Sequence, residues 1–281
     1  MKVDNAIILA AGTASRFAPL SYEIPKGLIE VKGEVLIERQ IKQLKEAGIP
    51  EIIIVTGYKS QSFAYLKDKY NVVLVHNPDY LTRNNHSSIY AVRDYLKNSY
   101  ICSSDNYFLK NPFKSKVAES YYSAIYAQGK TSEWCITEEN NWIKAVHIGG
   151  ANSWIMLGHV FWSEAFSKKF LSILQQEYSQ RETIYIEHIH ELPMQIRKYP
   201  ADFIFEFDTL DELRKFDTSY VNNTRSDILK HIAHDLGTTE GQIHNIKAIK
   251  NENNAAIGFV LECSKKYKYV YETQNLEEVN W

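Results

Sequence analysis

Nearly continuous apolar strand patterns alternate with amphipathic helical patterns in the first part of this 281-residue chain. A strand that is apolar on both faces is covered on both sides, as in a parallel sheet flanked by helices. The alternation therefore predicts an α/β, Rossmann-like fold with a mixed, mainly parallel central sheet. The predicted strands span residues 5–11, 51–56, 72–75 and 100–104, and the predicted helices span 36–47, 60–70 and 87–96.

The second half of the chain shows shorter strand patterns joined by turn residues. Beyond residue 219 a polar joint precedes a helix and a hairpin, which predicts a small appended α+β module. We therefore expect two domains, residues 1–218 and 219–281. The predicted strands of this half span 123–126, 134–136, 143–148, 154–161 and 203–208, the helices span 164–178, 184–191, 208–216 and 225–236, a turn or helix spans 238–245, and a hairpin joins 256–263 to 268–271.

Composition and charge exclude several classes of protein. With 32 Lys and Arg against 34 Asp and Glu, the formal net charge is −2, which favours neither nucleic acid nor an anionic membrane. The three cysteines form no metal-binding pair and no evident disulfide framework, which fits a reducing compartment. No apolar run approaches the roughly 20 residues that span a bilayer, and the N-terminus has no signal-peptide layout. We therefore expect a cytoplasmic protein without a nucleic-acid or membrane partner.

The first predicted strand ends in a loop of small residues. The apolar run gives way at Gly12 to a loop that carries Arg16, and Lys26 follows a short distance later. Free backbone N–H groups in such a loop suit phosphate oxygens, and nearby cations balance the phosphate charge. Since ligands of parallel sheets lie beyond the carboxyl ends of the strands, Gly12, Gly57 and Asp105 should converge. The pattern indicates a nucleotide site.

Several short motifs, taken together and in order, resemble one enzyme superfamily. They are Leu9-Ala10-Ala11-Gly12-x-x-Ser15-Arg16 with Pro25-Lys26, Val55-x-Gly57-Tyr58, Asn84-Asn85-x-x-Ser88, Asp105-Asn106-Tyr107, Glu133-Trp134 and Glu206-x-Asp208. Over residues 3–217 the chain resembles the nucleotidyltransferases of the nucleoside-diphosphate-sugar pyrophosphorylase superfamily, and within it the bacterial CTP:phosphocholine cytidylyltransferases. It departs from them at Ala14, where the family loop usually has a second glycine, so the backbone there is less free.

The resemblance implies a role for each part of the nucleotide site. In such enzymes a phosphate oxygen of the acceptor attacks the α-phosphorus of CTP and pyrophosphate leaves, which requires positioning and neutralised charge. Arg16 would hold the triphosphate, and Lys26 would lie near the α-phosphate or the attacking phosphate. Asp105 would act with them in catalysis, and Asp105 and Asp208 would hold Mg²⁺. The expected nucleotide-binding residues are Leu9, Ala10, Ala11, Gly12, Thr13, Ala14, Ser15, Arg16, Lys26, Gly57, Tyr58, Asn85, Ser88, Ser104 and Asp105.

The same resemblance implies that the acceptor is a small phosphorylated amino-alcohol, with phosphocholine first. A quaternary ammonium has no hydrogen to donate, so it needs aromatic faces and nearby negative charge. Two alternatives stay open: the same chemistry on 2-aminoethylphosphonate, phosphoethanolamine, phosphoglutamine or a sugar 1-phosphate, and a non-catalytic protein that senses nucleotide or mediates an interaction. The candidate acceptor-binding residues are Trp134, Tyr185, Glu187, Glu206 and Trp154.

Asp208 and the C-terminal module each have a second interpretation. Asp208 is well placed to cap the closing helix, with Glu212 behind it. Residues 232–243 have the outline of a helix-turn-helix, but no Arg or Lys follows until Lys247, which argues against DNA binding. Residues 243–271 instead resemble the opening hairpin of bacterial choline-kinase-like domains, with 251–254 in place of the Gly-rich turn. We expect a kinase-derived remnant that serves packing or homo-oligomer formation.

Overall fold

The computed structural model describes residues 1–177, 184–252 and 255–279. The last residue of the predicted helix 164–178 and the second half of the predicted turn 251–254 lie outside the described residues. The chain packs as two compact units. The first unit comprises Met1–Gly12 and Leu36–Glu206, and the second comprises Thr13–Val35 and Phe207–Trp281. The domain boundary at residue 218 stays a prediction.

Both units contain helices and strands, which are numbered along the chain. The strands are β1 (Asn5–Ala10), β2 (Glu30–Val31), β3 (Glu34–Val35), β4 (Ile52–Thr56), β5 (Val73–His76), β6 (Ser99–Ser103), β7 (Asn106–Phe108), β8 (Tyr121–Glu139), β9 (Trp142–Trp162), β10 (Gln195–Tyr199), β11 (Ile204–Glu206), β12 (His244–Lys250), β13 (Ala256–Glu262), β14 (Lys266–Val270) and β15 (Asn275–Glu278). The α-helices are α1 (Leu20–Glu23), α2 (Leu36–Glu46), α3 (Tyr65–Tyr70), α4 (Asn85–Ala91), α5 (Glu164–Glu177), α6 (Ile184–Glu187), α7 (Leu210–Phe216) and α8 (Asp227–Asp235). Among the described residues, no helix is long and apolar enough to cross a membrane.

A seven-stranded sheet with the order β10-β8-β9-β6-β1-β4-β5 forms the core of the first unit. β1 pairs in parallel with β4 and β6, and β4 pairs in parallel with β5, whereas β9 is antiparallel to β6 and β8. Ile7 and Ile53 on the central strands share one buried hydrophobic core with Phe170 and Leu174 of α5. These pairings confirm the predicted Rossmann-like α/β fold with a mixed, mainly parallel sheet.

The second half of the first unit differs from the predicted row of short strands. β8 and β9 form one long antiparallel hairpin, and several register shifts interrupt its pairing. Residues 128–130 of β8 are exposed, so the apolar alternation that marks a strand breaks off although the strand continues. β10, which the sequence did not predict, pairs in parallel with β8. The predicted helix 184–191 is the shorter α6.

The second unit has a four-stranded antiparallel sheet with the order β12-β13-β14-β15. The predicted hairpin is confirmed as β13 and β14, while β12 and β15 extend it on either side. The predicted helix 225–236 is α8, whose N-cap Ser226 accepts a hydrogen bond from the Leu229 N–H at 3.1 Å. The predicted element at 238–245 is a single 3₁₀ turn, Glu240–Gln242. The C-terminal residues thus form an antiparallel sheet of their own in the second unit.

Candidate active site

The carboxyl ends of the parallel strands in the first unit are joined by backbone hydrogen bonds. After β6, the Ser104 N–H donates to the Leu9 carbonyl at 3.0 Å, and after β4, the Tyr58 N–H donates to the Ala11 carbonyl at 3.0 Å. Asp105 follows Ser104 in the turn between β6 and β7. The structure therefore brings the ends of β1, β4 and β6 together, as the strand pattern predicts.

The two glycines at these strand ends are in different surroundings. A Cβ at Gly57 would lie 2.6 Å from Tyr80 Cγ and 2.8 Å from the Ala11 carbonyl oxygen, so the packing there admits only glycine. A Cβ at Gly12 would have no described atom within 4 Å, and its backbone is not in the left-handed region. Packing within the protein therefore explains Gly57 but does not explain Gly12.

The nucleotide candidates on α4 have defined contacts. Asn85 is the first residue of the helix, and Ser88 is buried. The Asn77 side-chain amide donates to Ser87 Oγ at 2.8 Å and to Ser88 Oγ at 3.1 Å. This network fixes the start of α4, and Asn85 next to it lines a cavity.

That cavity lies in the first unit, has a volume of about 220 Å³ and is lined mostly by aromatic and apolar side chains. It brings together four of the predicted residues, Leu9, Asn85, Trp134 and Tyr185. An aromatic wall of this kind suits a cation that cannot donate a hydrogen bond. Lining residues that the sequence reasoning missed are His86, Ile89, Ile101, Cys102, Ser103, Tyr122, Met156, Gly158, Val160, Trp162, Phe170 and Met194.

A carboxylate lies near the aromatic wall. The Asn106 side-chain amide donates to Glu206 Oε2 at 3.2 Å. Burial and, next, the negative charge of Glu206 raise the pKa of Tyr122 to about 12. Tyr122 lines the cavity, whereas Glu206 is exposed at the end of β11 and is not among the lining residues that the structure describes. Burial also raises the pKa of Tyr185, so its phenol stays protonated and neutral.

The remaining acceptor candidates lie elsewhere in the first unit. Glu187 is exposed at the end of α6. Trp154 packs edge-on against Tyr126, with ring centroids 5.4 Å apart, and the Lys198 ammonium lies 5.3 Å from its ring centroid. Among the described residues, Trp154 does not line the cavity. The substrate roles of both residues stay predictions.

The loop that carries Arg16 belongs to the second unit. Ala14 has φ 48° and ψ 42°, in the left-handed region, which costs a residue with a Cβ about 1 kcal/mol. Its carbonyl accepts a hydrogen bond from the Phe17 N–H at 2.8 Å, which closes the 3₁₀ turn Ser15–Phe17. The family's usual glycine would adopt this conformation without strain. The chain thus keeps a left-handed turn at Ala14.

Arg16 and Lys26 both reach Asp208. Arg16 Nη1 lies 2.9 Å from Asp208 Oδ2, and Lys26 Nζ lies 3.6 Å from Oδ1. The Arg16 side chain is 73% exposed, whereas that of Lys26 is 10% exposed and its ammonium lies 5.8 Å from the Phe17 ring centroid. The structure therefore places two predicted phosphate-binding cations around one predicted metal-binding carboxylate.

The capping role predicted for Asp208 is wrong. Thr209 is the N-cap of α7, and its hydroxyl accepts from the Glu212 N–H at 3.2 Å. Glu212 Oε2 in turn accepts from the Thr209 N–H at 3.0 Å, which completes a capping box. Thr209 takes this role because it stands three residues before Glu212, and the Asp208 carboxylate is left to the two cations.

The carboxylate chemistry fits a magnesium ion that arrives with its substrate. Within residues 1–177, 184–252 and 255–279, no three His, Cys, Asp or Glu side chains form a cluster that could hold a metal by themselves. Mg²⁺ usually takes one or two carboxylates and completes its coordination with water and substrate phosphates. The assignment of Asp105 and Asp208 as its ligands stays a prediction.

Comparison with known proteins decides the family. The family model described as the MobA-like NTP transferase domain matches residues 6–182. The chain belongs to this family. The choline-phosphate cytidylyltransferase of Streptococcus pneumoniae is 34% identical over 221 residues, which cover 76% of this chain and 96% of that protein. The 2-aminoethylphosphonate cytidylyltransferase of Lancefieldella rimae is 35% identical over 234 residues, which cover 79% of this chain and 95% of that protein.

A solved structure gives the same result. The CTP:phosphocholine cytidylyltransferase of Streptococcus pneumoniae superposes with a TM-score of 0.74 at 34% identity, covering 78% of this chain and 99% of that one. The chain is therefore a nucleotidyltransferase. Its relatives are covered almost completely, while about a fifth of this chain has no counterpart in them.

Proposed function

We propose that this nucleotidyltransferase transfers CMP from CTP to phosphocholine and releases pyrophosphate. The observation that carries the proposal is the aromatic cavity of the first unit, with Trp134, Tyr122 and Tyr185 on its wall and the Glu206 charge close to Tyr122. Aromatic faces and a nearby carboxylate are what a quaternary ammonium requires. The similarity to choline-phosphate cytidylyltransferases supports the same acceptor.

The size of the cavity agrees with a small head group. Its volume of about 220 Å³ exceeds the roughly 150 Å³ of an engineered cavity that binds benzene. A trimethylammonium group therefore fits, and apolar walls favour it over a hydrated primary ammonium. A primary ammonium would lose more hydration on entering a cavity whose walls are mostly apolar.

The cation pair supplies the nucleotide half of the proposal. Carboxylate and phosphate oxygens are acceptors of the same kind, so Arg16 and Lys26, which hold Asp208 in the free chain, can hold a triphosphate instead. Arg16 offers a fork of donors to two phosphate oxygens, and Lys26 acts as a nearly buried point charge. These two side chains would bind and orient the triphosphate before transfer.

The proposed transfer is a single displacement at phosphorus. A phosphate oxygen of phosphocholine forms a bond to the α-phosphorus of CTP. The bond from that phosphorus to the bridging oxygen breaks, and its electron pair leaves with pyrophosphate. Lys26 would neutralise the charge that builds up on the phosphates. When bound, Mg²⁺ held by Asp105 and Asp208 would supply further charge neutralisation.

The proposal is tested by a pyrophosphate-release assay that crosses the four nucleoside triphosphates with a panel of acceptors. The panel contains phosphocholine, phosphoethanolamine, 2-aminoethylphosphonate, phosphoglutamine and glucose 1-phosphate. We expect CTP with phosphocholine to give the highest kcat/KM. A higher kcat/KM with another acceptor, or with another triphosphate, would overturn the assignment.

A second candidate acceptor is 2-aminoethylphosphonate, because a relative that acts on it is 35% identical over 79% of this chain. Its primary ammonium would depend on carboxylates more than on aromatic faces. With phosphocholine as the acceptor, Trp134→Ala should raise KM by about tenfold, the loss of a desolvated cation–π contact, and Glu187→Gln should have a smaller effect. A larger increase in KM for Glu187→Gln than for Trp134→Ala would favour 2-aminoethylphosphonate as the natural acceptor.

A further inference from the structure

The segment that carries Arg16 and Lys26 packs with the C-terminal residues. Thr13–Val35, here called the cation segment, belongs to the same compact unit as Phe207–Trp281. Its own secondary structure consists of single turns and two-residue strands. Elements this short are not stable by themselves and depend on packing against other parts of the chain. The residues that hold this segment therefore determine where its cations lie.

An aromatic stack and a backbone contact join the cation segment to the C-terminal sheet. The rings of Tyr22 and Tyr271 stack with centroids 3.7 Å apart and planes 7° from parallel. Tyr271 follows β14 and is 8% exposed, and its ring also lies 5.9 Å from the buried Phe259. β12 packs against the turn Ser15–Phe17, which contains Arg16. The additional sheet thus supports the part of the segment that comes before Lys26.

Hydrogen bonds hold the segment on both sides of Lys26. Before it, Glu23 Oε1 accepts from the Ile228 N–H at 3.2 Å, at the N-terminus of α8. After it, the Glu30 carbonyl accepts from the Tyr220 hydroxyl at 2.6 Å and from Arg225 Nη1 at 3.2 Å. Lys26 therefore lies between two points that are both fixed by residues beyond 219.

Arg225 is held in a conformation that arginine rarely adopts. Its φ is 61°, in the left-handed region, which is costly for a residue with a long side chain. Its guanidinium lies 4.5 Å from the Tyr220 ring centroid, donates to the Tyr220 hydroxyl at 2.8 Å, and pairs with the Glu30 carboxylate at 3.3 Å. Tyr220 is 1% exposed. These contacts with Glu30 and Tyr220 offset the backbone strain.

We propose that Tyr220, Arg225 and Tyr271 are positioning residues for the binding of CTP. They fix the cation segment within the second unit, so that Arg16 and Lys26 meet the triphosphate in a fixed place. The inference rests on the proposed function only for the identity of the ligand. It gives the C-terminal sheet a role in the affinity for nucleotide, although none of its residues is assigned to the reaction.

The test compares Tyr271→Ala and Arg225→Gln with wild type in the full chain. Calorimetry measures the Kd of CTP, steady-state kinetics measures kcat at saturating CTP, and hydrogen exchange measures the backbone amides of residues 13–35 and 52–56. We expect the Kd of CTP to rise about fivefold, which corresponds to about 1 kcal/mol for one aromatic stack. We expect kcat to stay within about twofold, since the bound triphosphate itself holds the cations once it is present.

Exchange and control variants separate positioning from general stability. Exchange should accelerate in residues 13–35 and stay at the wild-type rate in β4, residues 52–56. Tyr271→Phe retains the stacked ring and should keep the wild-type Kd. Lys265→Gln removes an exposed ion pair to Glu278 within the same sheet and should change neither the Kd of CTP nor the exchange rates.

Three results would overturn the inference. They are an unchanged Kd of CTP in both variants, unchanged exchange in residues 13–35, and equal effects in Lys265→Gln. If wild type binds no CTP, the proposed function fails, and the exchange comparison alone decides whether the C-terminal residues hold the segment.

Discussion

Replacing Gly12 by alanine should stabilise the free protein and weaken the binding of CTP. No described atom lies within 4 Å of a Cβ at this position, and the backbone is not in the left-handed region, so the methyl group fits the free protein. A glycine-to-alanine change at such a position stabilises by about 0.4–1 kcal/mol, because the unfolded chain loses conformational freedom. For a chain of this size the melting temperature should rise by about 1–2 °C.

The effect on CTP should have the opposite sign. If the triphosphate lies against the loop after β1, the added methyl group occupies space that the nucleotide needs. Forcing one extra carbon into a packed site costs about 1–3 kcal/mol, which raises the Kd of CTP by about 5- to 150-fold. If Gly12→Ala stabilises the free protein and yet weakens the binding of CTP, then it is the bound nucleotide that requires glycine at this position.

Calorimetry measures both quantities, as a thermal scan without nucleotide and as a titration with CTP. Gly57→Ala is the matched control, since its Cβ would lie 2.6 Å from Tyr80 Cγ and 2.8 Å from the Ala11 carbonyl oxygen. This change should destabilise the fold by about 1–3 kcal/mol. Wild-type affinity for CTP in Gly12→Ala would refute the placement of the nucleotide beside Gly12, and a lower melting temperature would refute the steric reasoning.

Three further predictions concern the ionisable side chains Lys26, Asp208 and His159. Lys26→Ala should lower kcat by at least about a hundredfold with the fold retained, and a circular dichroism spectrum like that of wild type is the control. Asp208→Asn should lower the Kd of CTP, measured in EDTA, by about two- to fivefold. The reason is that Arg16 and Lys26 lose a carboxylate that competes with the triphosphate and that solvent already screens in part. A higher Kd than that of wild type would contradict this. Burial and, next, the Arg197 charge lower the pKa of His159 to about 3. Below pH 6.5 only the unfolded chain binds this proton, so the free energy of unfolding should fall by up to about 1.4 kcal/mol per pH unit down to pH 3. His159→Asn should remove this contribution to the pH dependence of the free energy of unfolding. An unchanged pH dependence would contradict the prediction.

The sequence predicted the parallel centre of the sheet because β1 and β4 are apolar on both faces. β8 and β9 were harder to predict, since their middle stretches, residues 126–134 and 147–154, are exposed or half-buried and register shifts interrupt the alternation. The strands β12 and β15 are mostly exposed or half-buried and therefore carry little apolar pattern. Periodicity reports burial, so it finds a strand only where one face is covered.

The sequence likewise predicted only part of the candidate site. The small-residue loop and the residues that follow β4 and β6 could be predicted, because local chain direction places them at strand ends. The cavity wall could not, since His86, Tyr122 and Trp162 are distant in sequence and come together only through the sheet pairing. The cap of α7 was misassigned because Asp208 and Thr209 are both good caps, and the spacing to Glu212 selects Thr209.

The most direct test is to incubate the wild-type chain with CTP, phosphocholine and Mg²⁺, and to identify the product by mass spectrometry. The account predicts CDP-choline and pyrophosphate in equal amounts, and at least about a hundredfold less of both with Lys26→Ala. No CDP-choline from the wild-type chain, or equal formation by Lys26→Ala, would contradict it.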